Sequence, residues 1–174
     1  VSDDHAEGPE TLTLALVPRT HSITGTSAPR DTYFLATPDQ AEIHLADQLA
    51  EAWWFSHFGP DSLHSESWLL DHDGDGFSAI AEYGLNGDPN TPSYSISPQA
   101  VLGPSGLELH YVRDNFKTDI QYRVLTSTDL VHWTREGVSD LIDGVPNPTG
   151  PEPRKATIPL TGLNRYLLLD ISFP

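Results

Sequence analysis

The sequence predicts a mainly β protein with a small α segment, and three observations carry that prediction. TLTLALV (11–17) alternates strictly between apolar and polar or small residues. GLELHYVR (106–113) and IQYRVLTS (120–127) do the same, and turn residues separate them from further short apolar runs. The one long stretch of helical spacing, 39–58, stops at Gly59-Pro60.

Taken in order, residues 1–10 (VSDDHAEGPE) are acidic and irregular. In 11–17, Leu12, Leu14 and Leu16 share one face, with Thr11, Thr13 and Ala15 on the other, the pattern of a half-buried strand. Pro18, Gly25 and Pro29 make 18–31 a loop, and TYFLA (32–36) reads as a second strand. Two strands alone are marginally stable, so this piece, residues 1–37, needs a further surface to pack on. Thr37 suits a helix N-cap, Pro38 the first helical position, and Gln40 completes a capping box. The helix expected over 39–58 repeats Leu45, Leu49 and Trp53 at spacing four. A polar connector, 61–70, ends in Trp68, Leu69 and Leu70. A short helix is expected from Ser78 to Tyr83, ending at Gly84, and the prolines of 86–98 mark a linker.

Residues 38–92 therefore read as a helix–loop–helix segment and 93–174 as a separate β domain. In the rear domain, Leu107, Leu109 and Tyr111 share one face, as do Ile120, Tyr122 and Val124. HWTRE (132–136), KATIPL (155–160) and RYLLLDISF (165–173) add expected strands. Five short strands at this spacing suggest a sandwich of immunoglobulin or fibronectin type, with Trp133 as its core plug.

Composition narrows the function. The 174 residues hold 25 acidic and 9 basic side chains, a formal charge of −16, and neither Cys nor Met. Such a surface repels phosphate backbones, so nucleic acid is not an expected partner. Anionic membrane surfaces are disfavoured likewise, and no apolar run reaches the roughly 20 residues of a membrane helix. Disulfides, thiol nucleophiles and thiolate metal sites are excluded. The charge is uneven. Residues 1–98 carry 16 acids and two bases (2 − 16 = −14), residues 99–174 nine acids and seven bases (7 − 9 = −2). Concentrated carboxylate opposes compaction unless cations are bound, which points to a divalent ion.

The motif that carries chemistry is DHDGDGFSAIAE, residues 71–82. It fits D-x-D-x-D-G-x5-E at every fixed position. Asp71, Asp73 and Asp75 occupy loop positions 1, 3 and 5, and converge only if the chain curls around a cation. Gly76 permits the sharp turn, the Phe77 carbonyl supplies position 7, and Ala79 leaves position 9 to water. Glu82, at position 12, can bind through both oxygens. An all-oxygen donor set favours calcium over magnesium, with an affinity expected in the weak extracellular range, ~10⁻⁴–10⁻³ M. The competing reading is a solvated acidic turn, since Asp-Gly pairs are common in turns. A single loop with Ser78 at position 8 points to a structural role rather than a sensor that opens a helix pair.

Three stretches resemble known families. WWFSHFG…DHDGDGFSAIAEYGLNGDPNTP resembles the calcium-loop segment near the C-terminus of large surface proteins of planctomycete-type and verrucomicrobial bacteria, through Trp54, Phe58-Gly59, Glu82-Tyr83 and Gly87-Asp88-Pro89. Ser78 stands where that family usually has Asn. The loop is also similar to EF-hand, dockerin and thrombospondin type 3 loops, although dockerins carry two and this chain one. LHYVRDNFKTDIQYRVLTSTDLVHW resembles the β module that follows the loop in the same bacterial proteins, and EGPETLTLALVPRTHSITGTSAPRDTYFLAT resembles the C-terminal half of a Calx-beta repeat. The resemblance implies a secreted or cell-surface bacterial setting and no catalytic activity. The missing Calx-beta strands would come from upstream chain, from another copy by strand addition through 11–17 or 32–36, or not at all, with Leu12, Leu14 and Leu16 docking on the helix.

Other residues have plainer readings. Asp3, Asp4, Glu7 and Glu10 fit a loose acidic terminus better than a second cation site. Asp88 fits an Asp-Pro turn. His57, His64 and His72 lie near the loop without the convergent spacing of a zinc site. Of Trp53 and Trp54, one is expected in the core and the other at an interface. The function expected is an extracellular, calcium-stabilised structural, adhesion or assembly module, with filament formation as one form of assembly. Coupled folding would fix the short helix and the angle between the N-terminal part and the sandwich. The alternative is a secreted carbohydrate- or protein-binding accessory module of a larger enzyme.

Overall fold

The alternation at the start of the chain is realised as strand β1 (Glu10–Ala15), which pairs antiparallel with β2 (Gln40–Leu45). The computed structural model describes residues 10–15, 40–46, 48–59, 65–160 and 164–174. They fall in two units, Val1–Asp47 and Gln48–Pro174. In the first, Leu12 lies opposite Ile43 and Leu14 opposite Ala41, while Thr11 and Thr13 oppose His44 and Glu42. This corrects the helix predicted over 39–58, whose first part is β2. Helical spacing is a local signal, and the cross-strand pairing of Ile43 and Ala41 with leucines far back in the chain overrides it. Gln40, expected in a capping box, opens β2. Thr37, Pro38 and the strand expected at 32–36 lie outside the described residues, as do Leu16 and Asp3, Asp4 and Glu7.

The helix survives as α1 (Leu49–Phe58) in the second unit. Gly59 ends it at φ 82°, its N–H returning to the Phe55 carbonyl, so the sequence stop is read correctly. A 3₁₀ turn at Ser65–Leu69 leads into the acidic loop and then into α2 (Ala79–Leu85). This helix runs through Gly84, where it was expected to end. Asn86, left-handed at φ 64°, is the actual cap. Gly84 serves packing instead, because a Cβ there would sit 2.9 Å from two side-chain carbons of Ile171.

The expected linker is folded. Asp88 and Thr91 form a bridge, Pro89 is fully buried, and Tyr94–Ile96 make a 3₁₀ turn. Six strands follow: β3 (Gln99–Gly103), β4 (Gly106–Asp114), β5 (Gln121–Ser127), β6 (Ser139–Ile142), β7 (Pro151–Ile158) and β8 (Tyr166–Ser172). One antiparallel sheet has the order β3-β4-β7-β6, and β5 pairs with β8 in a second. The described residues are thus mainly β, with two short α-helices.

Two apolar clusters sit in this unit. Leu109 and Tyr111 of β4, Ala156 of β7 and Val124 of β5 form one, flanked by Leu167 and Leu169 of β8, so the two sheets share a core. Within reach of it, the Tyr111 hydroxyl donates to Asp140 Oδ2 at 2.9 Å and Arg154 Nε to Asp140 Oδ1 at 3.2 Å. The second cluster joins Trp54 of α1, Trp68, Ala79, Ile80 and Tyr83 of α2, and Ile120. The helices therefore pack against Ile120, Tyr122 of β5 and Ile171 of β8, and Ile120, assigned to a strand from sequence, is shared with them.

The expected strand 132–136 is absent. Thr126 and Thr134 make a single bridge, and the chain before it turns on Asp129, whose Oδ1 accepts the Val131 and His132 amides at 2.9 and 2.8 Å. Leu130 is left-handed there, at φ 63°. Turn chemistry outcompetes extension, and Trp133 is half-buried rather than a core plug. Strands β3 and β6 carried no clear signal, being short and mostly exposed.

Candidate metal centre

The acidic loop lies between the 3₁₀ turn at Ser65–Leu69 and α2, and its own backbone shapes it. Asp71 Oδ1 accepts the Gly74 amide at 2.8 Å and Oδ2 the Gly76 amide at 2.9 Å. Asp73 Oδ1 accepts the Asp75 amide at 3.1 Å, and Asp75 Oδ1 the Phe77 amide at 2.8 Å. Each aspartate thus folds the next two to five residues back on itself. Gly74 and Gly76 stand at φ 82° and 97°, so the left-handed geometry expected at Gly76 is present.

The result is convergence. One carboxylate oxygen from each of Asp71, Asp73 and Asp75 falls within 4.8 Å of the others. The Gly76 amide holds the Asp71 carboxyl below the usual carboxylate range, against a smaller opposing effect of burial and with help from the Gly74 and Asp75 amides.

Glu82 stands outside that triplet but within reach of its charge. It is 0 % exposed, on the first turn of α2. Burial first, then the charges of Asp73, Asp75, Asp71 and Asp88, push its carboxyl up to about 7. Both of its oxygens, and Asp73 Oδ2, are buried with no hydrogen-bond partner. Unpartnered buried carboxylate oxygens are rare in native proteins, because each forfeits its hydration. Here three of them accompany the triplet. A hard divalent cation with oxygen ligands would satisfy them, and the donor set fits one. The Phe77 amide closes the loop on Asp75.

A residue not anticipated from sequence completes the loop. The Ser93 amide donates to Asp75 Oδ2 at 2.6 Å, so the segment after α2 braces position 5 from 18 residues away. Asp88 is exposed and its Oδ1 caps the Asn90 amide at 3.0 Å, the plain turn reading. The His72 ring lies tilted against the Phe58 ring with centroids 4.5 Å apart, and His57 against Trp53 at the same separation. His64 lies outside the described residues, and the side chain of Glu10 is not described. Trp54 is 1 % exposed, while Trp53 is half-buried against Trp68 and Tyr83.

Behind the loop, α2 is fixed to the β domain by groups with no local sequence signal. Tyr83 Oη donates to Asp119 Oδ1 at 2.8 Å, and Tyr122 Oη donates to the Gly84 carbonyl at 2.7 Å. Lys117 Nζ donates to the Tyr83 carbonyl and, at 2.6 Å, to Asn86 Oδ1. The ammonium also lies 4.6 Å from the Tyr83 ring centre. These carbonyls are among those that a helix C-terminus leaves without intrahelical partners. The chain matches no protein-family model, no curated protein and no solved structure at a significant level.

Proposed function

We propose that residues 71–82 hold a calcium ion and that the chain is a calcium-stabilised structural module of a bacterial surface protein, serving adhesion or assembly. The observation that carries this reading is the set of three buried, unpartnered carboxylate oxygens on Asp73 and Glu82 beside the converging aspartates. Asp71, Asp73 and Asp75, the Phe77 carbonyl and Glu82 would be the ligands. When bound, the ion supplies the positive charge that offsets four clustered carboxylates. Glu82, once ionised and paired, anchors the first turn of α2 to the loop, and Ser93 keeps Asp75 in place. The role is one of order rather than chemistry on a substrate.

One feature favours assembly. Leu12, Leu14 and Ile43 are each about half exposed, at 48 %, 54 % and 45 %, on the paired strands β1 and β2. Apolar strand faces of this kind are natural docking surfaces for further chain. The shared core of the two rear sheets supports a sandwich of immunoglobulin or fibronectin type as the companion fold.

Thermal unfolding in calcium, in equal magnesium and after chelation, with light scattering alongside, tests the reading. With a dissociation constant of ~10⁻⁴–10⁻³ M, calcium at about 10 mM adds roughly 1–3 kcal/mol, a rise of several degrees. Magnesium should give much less, and growth of scattering with calcium would support assembly. Equal melting in calcium and chelator would leave 71–82 an acidic turn.

A further inference from the structure

We infer that calcium at the loop is coupled to the start of α1 through Asp119, so that loading the site fastens the first turn of a helix to which it contributes no ligand. The inference rests on the calcium reading above and adds a mechanical consequence to it.

Asp119 lies in the connection between β4 and β5. Its Oδ2 accepts the Ala50 amide at 2.6 Å, from 69 positions away, and its Oδ1 accepts the Tyr83 hydroxyl at 2.8 Å. Ala50 is the second residue of α1, so its amide is one of the donors that a helix leaves without an internal acceptor. Gln48, the N-cap residue, makes no side-chain capping bond. The capping function has passed to Asp119, whose position is set from the other side by Tyr83.

Tyr83 follows Glu82 directly on α2. With α2 only seven residues long, a group that pulls Glu82 toward the loop also fixes the Tyr83 ring. Lys117 tightens the same joint, its ammonium bonded to the Tyr83 carbonyl and to Asn86 Oδ1. Without a group that holds Glu82 to the loop, the Tyr83 ring is less firmly fixed, and the Ala50 amide has a less ordered acceptor. The linked elements are contiguous: loop, Glu82, Tyr83, Asp119, Ala50.

Coupling of this kind is reciprocal in binding free energy. Release of the Ala50 amide must weaken calcium by the same factor by which calcium protects that amide, and disturbing the Tyr83–Asp119 bond cuts the link between them. Tyr83→Phe removes the hydroxyl and little else, and Asp119→Asn is a second, independent probe.

The test uses the whole chain. Amide hydrogen exchange at Ala50 is followed by NMR in saturating calcium and in chelator, and calcium affinity is measured by calorimetry on the same samples. Expected is about tenfold or more slower exchange at Ala50 with calcium, within the usual range of coupling. Tyr83→Phe should bind calcium several-fold more weakly and lose most of the calcium dependence at Ala50. Calcium binding with unchanged Ala50 exchange would overturn the coupling and leave the calcium site standing. Absence of calcium binding would overturn both. Should Asp119→Asn fold poorly, Tyr83→Phe and the unmodified chain decide the matter by themselves.

Discussion

Asp73 is the charged residue that most raises the Glu82 carboxyl, second only to burial itself, and the two side chains together hold three buried oxygens without a hydrogen bond. The pair stores an electrostatic cost in the metal-free loop that a cation would relieve. Several consequences can be measured.

Glu82→Gln should have opposite effects in two buffers. In chelator at pH 8 it removes a buried charge facing three aspartates, and the variant should be more stable than the parent by about 1–3 kcal/mol. In calcium it lacks a charged ligand, and most of the calcium-dependent rise in melting temperature should vanish. Denaturant unfolding in both buffers reads the crossover. A variant less stable in both would show that Glu82 serves some purpose other than ion binding.

Gly84→Ala should destabilise, although Ala is favoured over Gly in a helix by about 1 kcal/mol. The added methyl would meet Ile171 Cδ1 and Cγ2 at 2.9 Å, and overpacking costs about 1–3 kcal/mol. Combining it with Ile171→Val, which removes Cδ1, should recover part of the loss. A double-mutant cycle from chemical denaturation measures that coupling.

Alkaline pH should unfold the second unit through its tyrosines. Burial, and for Tyr83 and Tyr111 the carboxylates of Asp119 and Asp140 they donate to, push their hydroxyls well above the ordinary value of 10.0; burial takes Tyr122 up to about 12. In the unfolded chain the three ionise near their ordinary value. The folded state therefore binds more protons than the unfolded state above that pH, and stability is lost as pH climbs from about 10 toward 12. Tyrosinate absorbance and circular dichroism, followed together, should change in one step. Free titration of all six tyrosines before unfolding would contradict the burial of these three.

Legibility followed range. The turn geometry of the loop was readable because its aspartates and glycines lie within six positions, where spacing dictates geometry. Strands β4 and β5 were readable because their alternation is strong, and β8 and the second half of β7 from short β-branched and apolar runs. The first half of the predicted helix over 39–58 was not, since β2 is set by residues 10–15 and no local pattern records that pairing. Gly84 looked like a stop because its actual constraint, Ile171, lies 87 positions on (171 − 84 = 87). Trp133 looked like a core residue because the Asp129 turn that leaves it half-buried is a matter of side-chain hydrogen bonds. Ser93, Lys117 and Asp119 brace the site across distances that periodicity cannot register.

The most direct test of the metal centre is calorimetric titration of calcium into the chelator-stripped chain and its Glu82→Gln variant, with magnesium as competitor. Expected is one calcium-selective site on the parent and about tenfold or greater weakening in the variant, since the charge and number of oxygen ligands set affinity in loops of this type. Absence of binding by the parent, or equal binding by the variant, would contradict a calcium centre built on Asp71, Asp73, Asp75 and Glu82.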